Sequence, residues 1–247
     1  MNSYRIAIVG ADTLLGKELG TVLNERHFPA RSTALLQLAG AGAVAETQAR
    51  SLTEFADEAM LLDPYRPEAL AEADVVFFAE PPPAPVEFPG IAIHLTGDDE
   101  TAPLTGFSAA RHETKRAQVA HPAAQALGLI VPLLGRAGAL EVASACVFEP
   151  ASERGLAGIQ ELEQQTVRLL ALQSQPQTVY DCQVAFNLRA RLGEQAKPRL
   201  QDVRNQVERQ SRRLLGSEAP PEMAVQLIQA PVFHSCGLAL YVRYAAP

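Results

Sequence analysis

A short apolar run that stops on a glycine and passes straight into a helix sets the frame for this chain. Tyr4-Arg-Ile-Ala-Ile-Val-Gly10 is β-rich and apolar at successive positions, the pattern of a strand buried on both faces of a parallel sheet. After Ala11-Asp12-Thr13, residues Leu14 to Arg26 read as a helix with Leu15, Leu19, Val22 and Leu23 on one face. Pro29 lies just past its end. Strand, tight turn and helix open a βαβ unit, which predicts a doubly wound, Rossmann-like α/β sheet.

The rest of the first half repeats the theme less cleanly. Ser32 to Leu38 reads as a second strand, and Ala39-Gly-Ala-Gly42 as a loop. Residues 45–65 show no clear period. Pro67 to Glu72 reads as a short helix. Asp74-Val-Val-Phe-Phe-Ala79 is a buried strand cut off by Glu80-Pro-Pro-Pro-Ala-Pro85, and Gly90 to Leu95 is another. Residues 96–118 are polar and irregular and read as a surface loop.

The composition shifts near residue 120, which divides the chain into domains at 1–121 and 122–247. In the second, Pro122 to Leu134 reads as an apolar helix and Glu141 to Phe148 as a strand. Ser152 to Gln173 reads as a helix with Ile159, Leu162, Val167 and Leu170 in its core face. Gln183 to Phe186 reads as a short strand. Arg199 to Leu215 is an amphipathic helix. Ala224 to Val232 and Leu238 to Tyr244 read as strands joined around Phe233-His-Ser-Cys-Gly237 and able to pair antiparallel. This half is α+β.

Composition excludes several classes of function. The chain has 247 residues, 47% hydrophobic and 20% charged, which fits packed cores and not disorder. With 28 acidic and 21 basic residues its net charge is −7, which argues against nucleic acid or an anionic membrane as partner. Cys146, Cys182 and Cys236 are widely spaced and odd in number, suiting a reducing cytoplasm better than a disulfide framework. No apolar run reaches the roughly 18–20 residues of a membrane span, and the start lacks the shape of a signal peptide. His94, His112 and His121 show no metal-ligand spacing, so no metal is expected.

Four segments, in order, resemble the aspartate-semialdehyde dehydrogenase family. They are Ile6 to Leu19 with Leu23-Asn-Glu-Arg-His-Phe-Pro29; Ala120-His-Pro-Ala-Ala-Gln125; Glu149-Pro-Ala-Ser-Glu-Arg-Gly to Thr166; and Ala185-Phe-Asn187 with Ala230-Pro-Val-Phe-His-Ser-Cys236. The resemblance implies a Rossmann-like nucleotide-binding domain, then a substrate and dimerisation domain with a mainly antiparallel sheet. It implies NADP-dependent chemistry in the cytoplasm, serving amino-acid biosynthesis. A cysteine thiolate attacks the semialdehyde, hydride passes to the nicotinamide, and phosphate releases the acyl group. Family members run on beyond the last strand seen here, so the chain reads as a shortened form or a fragment.

The residues that should do this chemistry are replaced. The family's nucleophile falls on Ala124, and a methyl group cannot attack a carbonyl. Cys146 and Cys182 sit in expected strands, where free cysteine is commonly a small buried hydrophobe. Cys236, beside His234, is the better candidate thiol. The family's orienting glutamine falls on Glu149, whose carboxylate would repel an oxyanion; the favoured reading is an exposed acid before a helix. The substrate-binding arginine falls on Gln229. The family histidine matches Cys236 without a gap, or His234 with a two-residue slip.

The cofactor turn departs as well. Against Gly-Ala-Thr-Gly-x-x-Gly the chain has Gly10-Ala-Asp-Thr-Leu-Leu-Gly16, so Thr13 replaces the glycine that lets backbone approach a pyrophosphate. Asp12 adds negative charge at the helix N-terminus, or Asp12 or Thr13 caps it. The cofactor candidates are Gly10, Asp12, Thr13, Leu14 and Leu15. Gly40 stands near the place of the arginine that would read a 2′-phosphate, and Pro81-Pro-Pro83 replaces a glycine-rich loop.

The leading expectation is a degenerate family member, with catalytic residues not intact and NAD or NADP binding weak or absent. It would act in binding or assembly as a homodimer or paired with a family relative. The alternative is an active NAD(P)-dependent semialdehyde dehydrogenase with a displaced site at Cys236, His234 and Glu149. A third is a ligand sensor that retains weak dinucleotide binding.

Overall fold

The computed structural model describes residues 3–38, 51–55, 58–100, 102–105 and 115–245. The chain divides into two compact units, with the boundary between Val119 and Ala120.

The first unit is an eight-stranded sheet. Its strands are β1 (Tyr4–Val9), β2 (Ala30–Gln37), β3 (Ser51–Phe55), β4 (Glu58–Pro64), β5 (Val75–Phe78), β6 (Ile91–His94), β7 (Leu104–Thr105) and β8 (Arg116–Val119), in the order β3-β4-β2-β1-β5-β6-β8-β7. All neighbours are parallel except β3 and β4. β1 lies between β2 and β5, so the order reverses there, and helix α1 (Leu14–Glu25) leaves from its end.

The apolar run of β1 is explained by burial on both faces. Ile6 and Ile8 enter one cluster with Leu35, Leu62, Val75 and Phe77; Ala7 and Val9 enter the other with Leu36, Leu70, Val76 and Phe78. From α1, Leu19 and Leu23 pack on the first cluster. Leu15 and Val22, expected on the same face, are 39% and 47% exposed. The expected loop over 96–118 contains β7 and the start of β8, whose short polar strands carry too little apolar pattern to stand out. The loop assigned to residues 39–42, with Gly40, lies outside the described residues, as does His112.

The second unit has a three-stranded sheet of β9 (Leu140–Glu149), β10 (Glu222–Gln229) and β11 (Gly237–Tyr244), ordered β10-β9-β11. It is mixed: β9 pairs parallel with β10 and antiparallel with β11. The last two strands therefore do not pair with each other, because β9 lies between them. The helices are α2 (Pro122–Gly135), α3 (Gly155–Leu170) and α4 (Leu200–Leu215), with a 3₁₀ turn over Ala151–Arg154 before α3.

The expected helix from Ser152 thus starts as a 3₁₀ turn and becomes α-helical only at Gly155, whose φ of 62° breaks the regular backbone. Its buried face is Gly158, Glu161, Leu162 and Gln165, whereas Val167 and Leu170 are 60% and 74% exposed. The helix has turned toward the segment that follows it. Glu161 Oε2 accepts the amides of Thr178 and Val179 at 2.7 and 2.6 Å, and Oε1 accepts that of Tyr180 at 3.1 Å. Gln165 Oε1 accepts the amides of Val184 and Ala185 at 2.8 and 3.1 Å. Residues 183–186 are consequently not a strand, because two of their amides end on a glutamine side chain and not on a β-ladder. Cys182 lies in this same irregular segment, not in a strand, while Cys146 does lie in β9.

Candidate functional site

In the first unit the candidate site is the turn after β1. Gly10 has a φ of 78°, a conformation that suits glycine, and a Cβ there would press on Glu80 at 3.0 Å. A Cβ on Gly16 would collide with the Gly10 carbonyl, so Gly16 is needed for the close approach of helix and turn. Thr13 is the N-cap: its Oγ1 accepts the Gly16 amide at 3.0 Å and donates to Gly10 O at 2.7 Å. The amides of Gly10 and Ala11 donate to Leu36 O, and that of Thr13 to Gly10 O. Leu14 and Leu15 head the helix with amides that have no partner among the described residues. Glu80, two residues past the end of β5, closes the turn from the other side. Burial raises its carboxyl above the usual range, and the charge of Asp12 raises it further.

The second unit gathers a different set. Ala124, which the sequence resemblance aligns with the family's nucleophile, lies in the first turn of α2 and is fully buried. His121 caps that helix: its Nδ1 accepts the Ala123 amide at 3.2 Å, and its own amide donates to Gln210 Oε1 at 2.7 Å. A ring nitrogen that accepts cannot carry a hydrogen, so the neutral imidazole bears its proton on Nε2. That Nε2 stands 3.6 Å from Glu149 Oε1 and 3.6 Å from Glu153 Oε2. Burial pushes His121 down to about 4.

Glu149 is 2% exposed, which overturns its reading as an exposed acid. The end of β9 points it inward, opposite Gln229 in the parallel register with β10. Burial pushes its carboxyl up to about 7; the Glu153 charge adds to this and the Arg154 charge opposes it. Among the described residues its Oε1 has no hydrogen-bond donor, nor has Oε1 of Gln229, itself fully buried. Gln229 Nε2 donates to the carbonyls of Glu149 and Ala230 at 3.1 and 3.2 Å.

Arg154 does not pair with this acid directly. Its guanidinium donates to Lys197 O and Pro198 O, each at 3.0 Å, and lies 5.6 Å from the centre of the Tyr180 ring.

The displaced thiol is poorly placed for attack. Cys236 is an exposed residue, yet burial of its sulfur pushes the thiol up to about 11, with Glu153 and Glu149 adding to the shift. Its Sγ donates to the carbonyl of Gly237, at 3.7 Å. His234 is exposed, and no hydrogen bond joins it to Cys236 among the described residues. The structure thus brings Glu149 and Cys236 into one electrostatic neighbourhood and adds His121 and Glu153, which sequence reasoning passed over. The available signal for His121 was its place directly before Pro122, at the head of an apolar helix.

Comparisons with known proteins follow the same outline. Residues 5–89 match the family model "Semialdehyde dehydrogenase, NAD binding domain". The chain is 27% identical over 259 residues to a protein described as a USG-1 protein homolog from Pseudomonas aeruginosa, an alignment covering 98% of this chain and 74% of that one. A USG-1 protein homolog from Azotobacter vinelandii is 29% identical over 258 residues, covering 96% and 73%. The solved structure of a probable aspartate-semialdehyde dehydrogenase from Pseudomonas aeruginosa superposes with a TM-score of 0.78 at 23% identity, covering all of this chain and 76% of that one. Residues 5–89 are thus similar to a semialdehyde dehydrogenase NAD-binding domain, and the whole chain shares the fold of a probable aspartate-semialdehyde dehydrogenase.

Proposed function

We propose that this chain retains the family fold without covalent dehydrogenase chemistry and works as a binding or assembly protein. The observation that carries this reading is Ala124, a buried methyl at the nucleophile position. Thioester chemistry needs a thiolate, and loss of a nucleophile costs several orders of magnitude in rate. Cys236 does not stand in for it. With its thiol pushed up to about 11, it is almost wholly protonated at neutral pH.

The cofactor turn supports the same reading. NAD or NADP would be held through the amides of Leu14 and Leu15, with the nicotinamide supplying hydride transfer when bound. The turn around those amides does not fit a tightly held pyrophosphate. Thr13 occupies the Gly16 amide, and Asp12 and Glu80 bring negative charge to the position a phosphate would take. Weak or absent dinucleotide binding follows.

Assembly is proposed through the outer face of the three-stranded sheet. Burial alternates along β10, so Ala224 and Gln226 face outward; on the neighbouring strands a shallow hollow is lined by Ser144, Cys146, Ala239 and Tyr241. Tyr241 is 60% exposed. A second copy, or a family relative, would cover this face. The negative charge of the chain and the lack of any helix long and apolar enough to cross a membrane, among the described residues, support a protein partner.

The test is a coupled assay with aspartate semialdehyde, NADP and phosphate. The proposal expects no turnover above background, and a rate above roughly 1 s⁻¹, within the usual enzyme range, would reject it.

A further inference from the structure

The corner where β9 meets the 3₁₀ turn presents an electrostatic problem. Two carboxyl groups, the buried Glu149 and the more exposed Glu153, whose side chain is 29% exposed, face one imidazole edge, and both gaps are 3.6 Å, longer than a hydrogen bond. The obvious resolution is an imidazolium between two carboxylates. The cap excludes it. His121 Nε2 already carries a hydrogen because Nδ1 accepts the Ala123 amide, so a second proton must go onto Nδ1 and break the cap of α2.

The other charged and titratable groups facing this corner do not neutralise it either. Arg154, from the 3₁₀ turn, commits its two terminal nitrogens to Lys197 and Pro198 carbonyls and stacks over Tyr180. Tyr180, from the segment after α3, is raised by burial and stays neutral. Cys236, from the loop before β11, keeps its proton. From α4 the contact is the neutral carboxamide of Gln210, and from β10 that of Gln229.

One small cation remains that fits such a site, a proton on a carboxyl group. A carboxylic acid is also a donor, which a carboxylate is not, and this buried face contains two acceptor oxygens without one. The corner also holds the loop before β11: the amides of Ala151 and Ser152 donate to Val232 O and Phe233 O at 2.8 and 3.0 Å.

We propose that Glu149 is the proton-binding element of a pH-sensitive latch. Neutral, it seats the α2 cap against the β9 corner; ionised, it repels Glu153 and loosens the corner and the loop that hangs from it.

The linkage has a definite sign. A carboxyl whose pKa is raised from 4.5 to about 7 on folding contributes stability that is full below the first value and lost as pH rises through the second. His121, lowered from 6.5 to about 4, acts oppositely, losing stability as pH falls through that range. Glu153, also raised, adds to the Glu149 effect.

The experiment uses the full chain, its Glu149→Gln and its Glu153→Gln variants. Infrared spectra are taken at about pH 6 and about pH 8.5, either side of the transition. The wild type should show a protonated-carboxyl stretch at the lower pH that fades at the higher. Glu149→Gln should lack that band, and Glu153→Gln should keep it. In melting curves Glu149→Gln should match the wild type near pH 5 and exceed it by roughly 5 °C near pH 8.5. Absence of the wild-type band at the lower pH, or its loss in Glu153→Gln with survival in Glu149→Gln, overturns the proposal. So does a melting difference between wild type and Glu149→Gln that does not change with pH. If Glu149→Gln does not fold, the bands of the wild type and Glu153→Gln decide.

Discussion

Thr13 and Gly16 are joined by a hydrogen bond of 3.0 Å, so the threonine side chain consumes an amide of the helix start. The same hydroxyl donates to Gly10 O, which ties the turn after β1 into a closed ring. Replacing Thr13 by Ala removes both bonds. The expected cost is about 1 kcal/mol, the usual size of a lost N-cap. Thermal melting should show a loss of a few degrees, and an unchanged melting temperature would mean that the cap contributes nothing.

The charge around this turn makes a second prediction. Burial and the Asp12 charge raise the cost of ionising Glu80, and negative charge on either residue opposes an incoming phosphate. The double variant Asp12→Asn, Glu80→Gln should bind NADP more tightly than the wild type, by roughly tenfold, if each charge contributes about 0.7 kcal/mol at this partly exposed site. Titrating NADP against melting temperature measures it, since a ligand of the native state raises stability. An equal shift in both proteins would show that these acids do not govern the turn.

The helix residue Glu161 has a structural task that can be tested separately. It accepts three backbone amides of the segment 178–180 and is 5% exposed. Glu161→Ala should cost roughly 3 kcal/mol, because it leaves buried amides without an acceptor. Glu161→Gln, which keeps one acceptor oxygen, should cost less. Hydrogen exchange at residues 178–180 reports the loss directly.

These cases mark how far the amino-acid pattern could be followed. The buried strand Tyr4–Val9, the glycine turn and the helix after it were legible because local periodicity and backbone need coincide at those positions. Glu161 and Gln165 look like ordinary polar positions of an amphipathic helix, and nothing local says that they hold backbone amides 17 to 20 residues further on. Glu149 was misread for a related reason. Glutamate is mostly exposed, and only the inward turn of the last residue of β9 buries it.

Cys236 gives a prediction with a rate as its readout. A thiol pushed up to about 11 holds roughly a hundredfold less thiolate at neutral pH than one at the reference value of 9.0. Alkylation in the folded protein should be at least tenfold slower than that of free cysteine, allowing for the greater nucleophilicity of a more basic thiolate. In Glu153→Gln the rate should rise, because a carboxylate that disfavours the thiolate has gone. Labelling as fast as free cysteine would make Cys236 an activated thiol and revive the displaced site.

The most direct measurement is the intact mass of the protein after incubation with aspartate semialdehyde and NADP in the absence of phosphate, when an acyl-enzyme cannot be released. If Ala124 takes the nucleophile's place, as proposed, the chain stays unmodified and no NADPH forms. A thioester adduct on Cys236, formed together with a matching amount of NADPH, would contradict it.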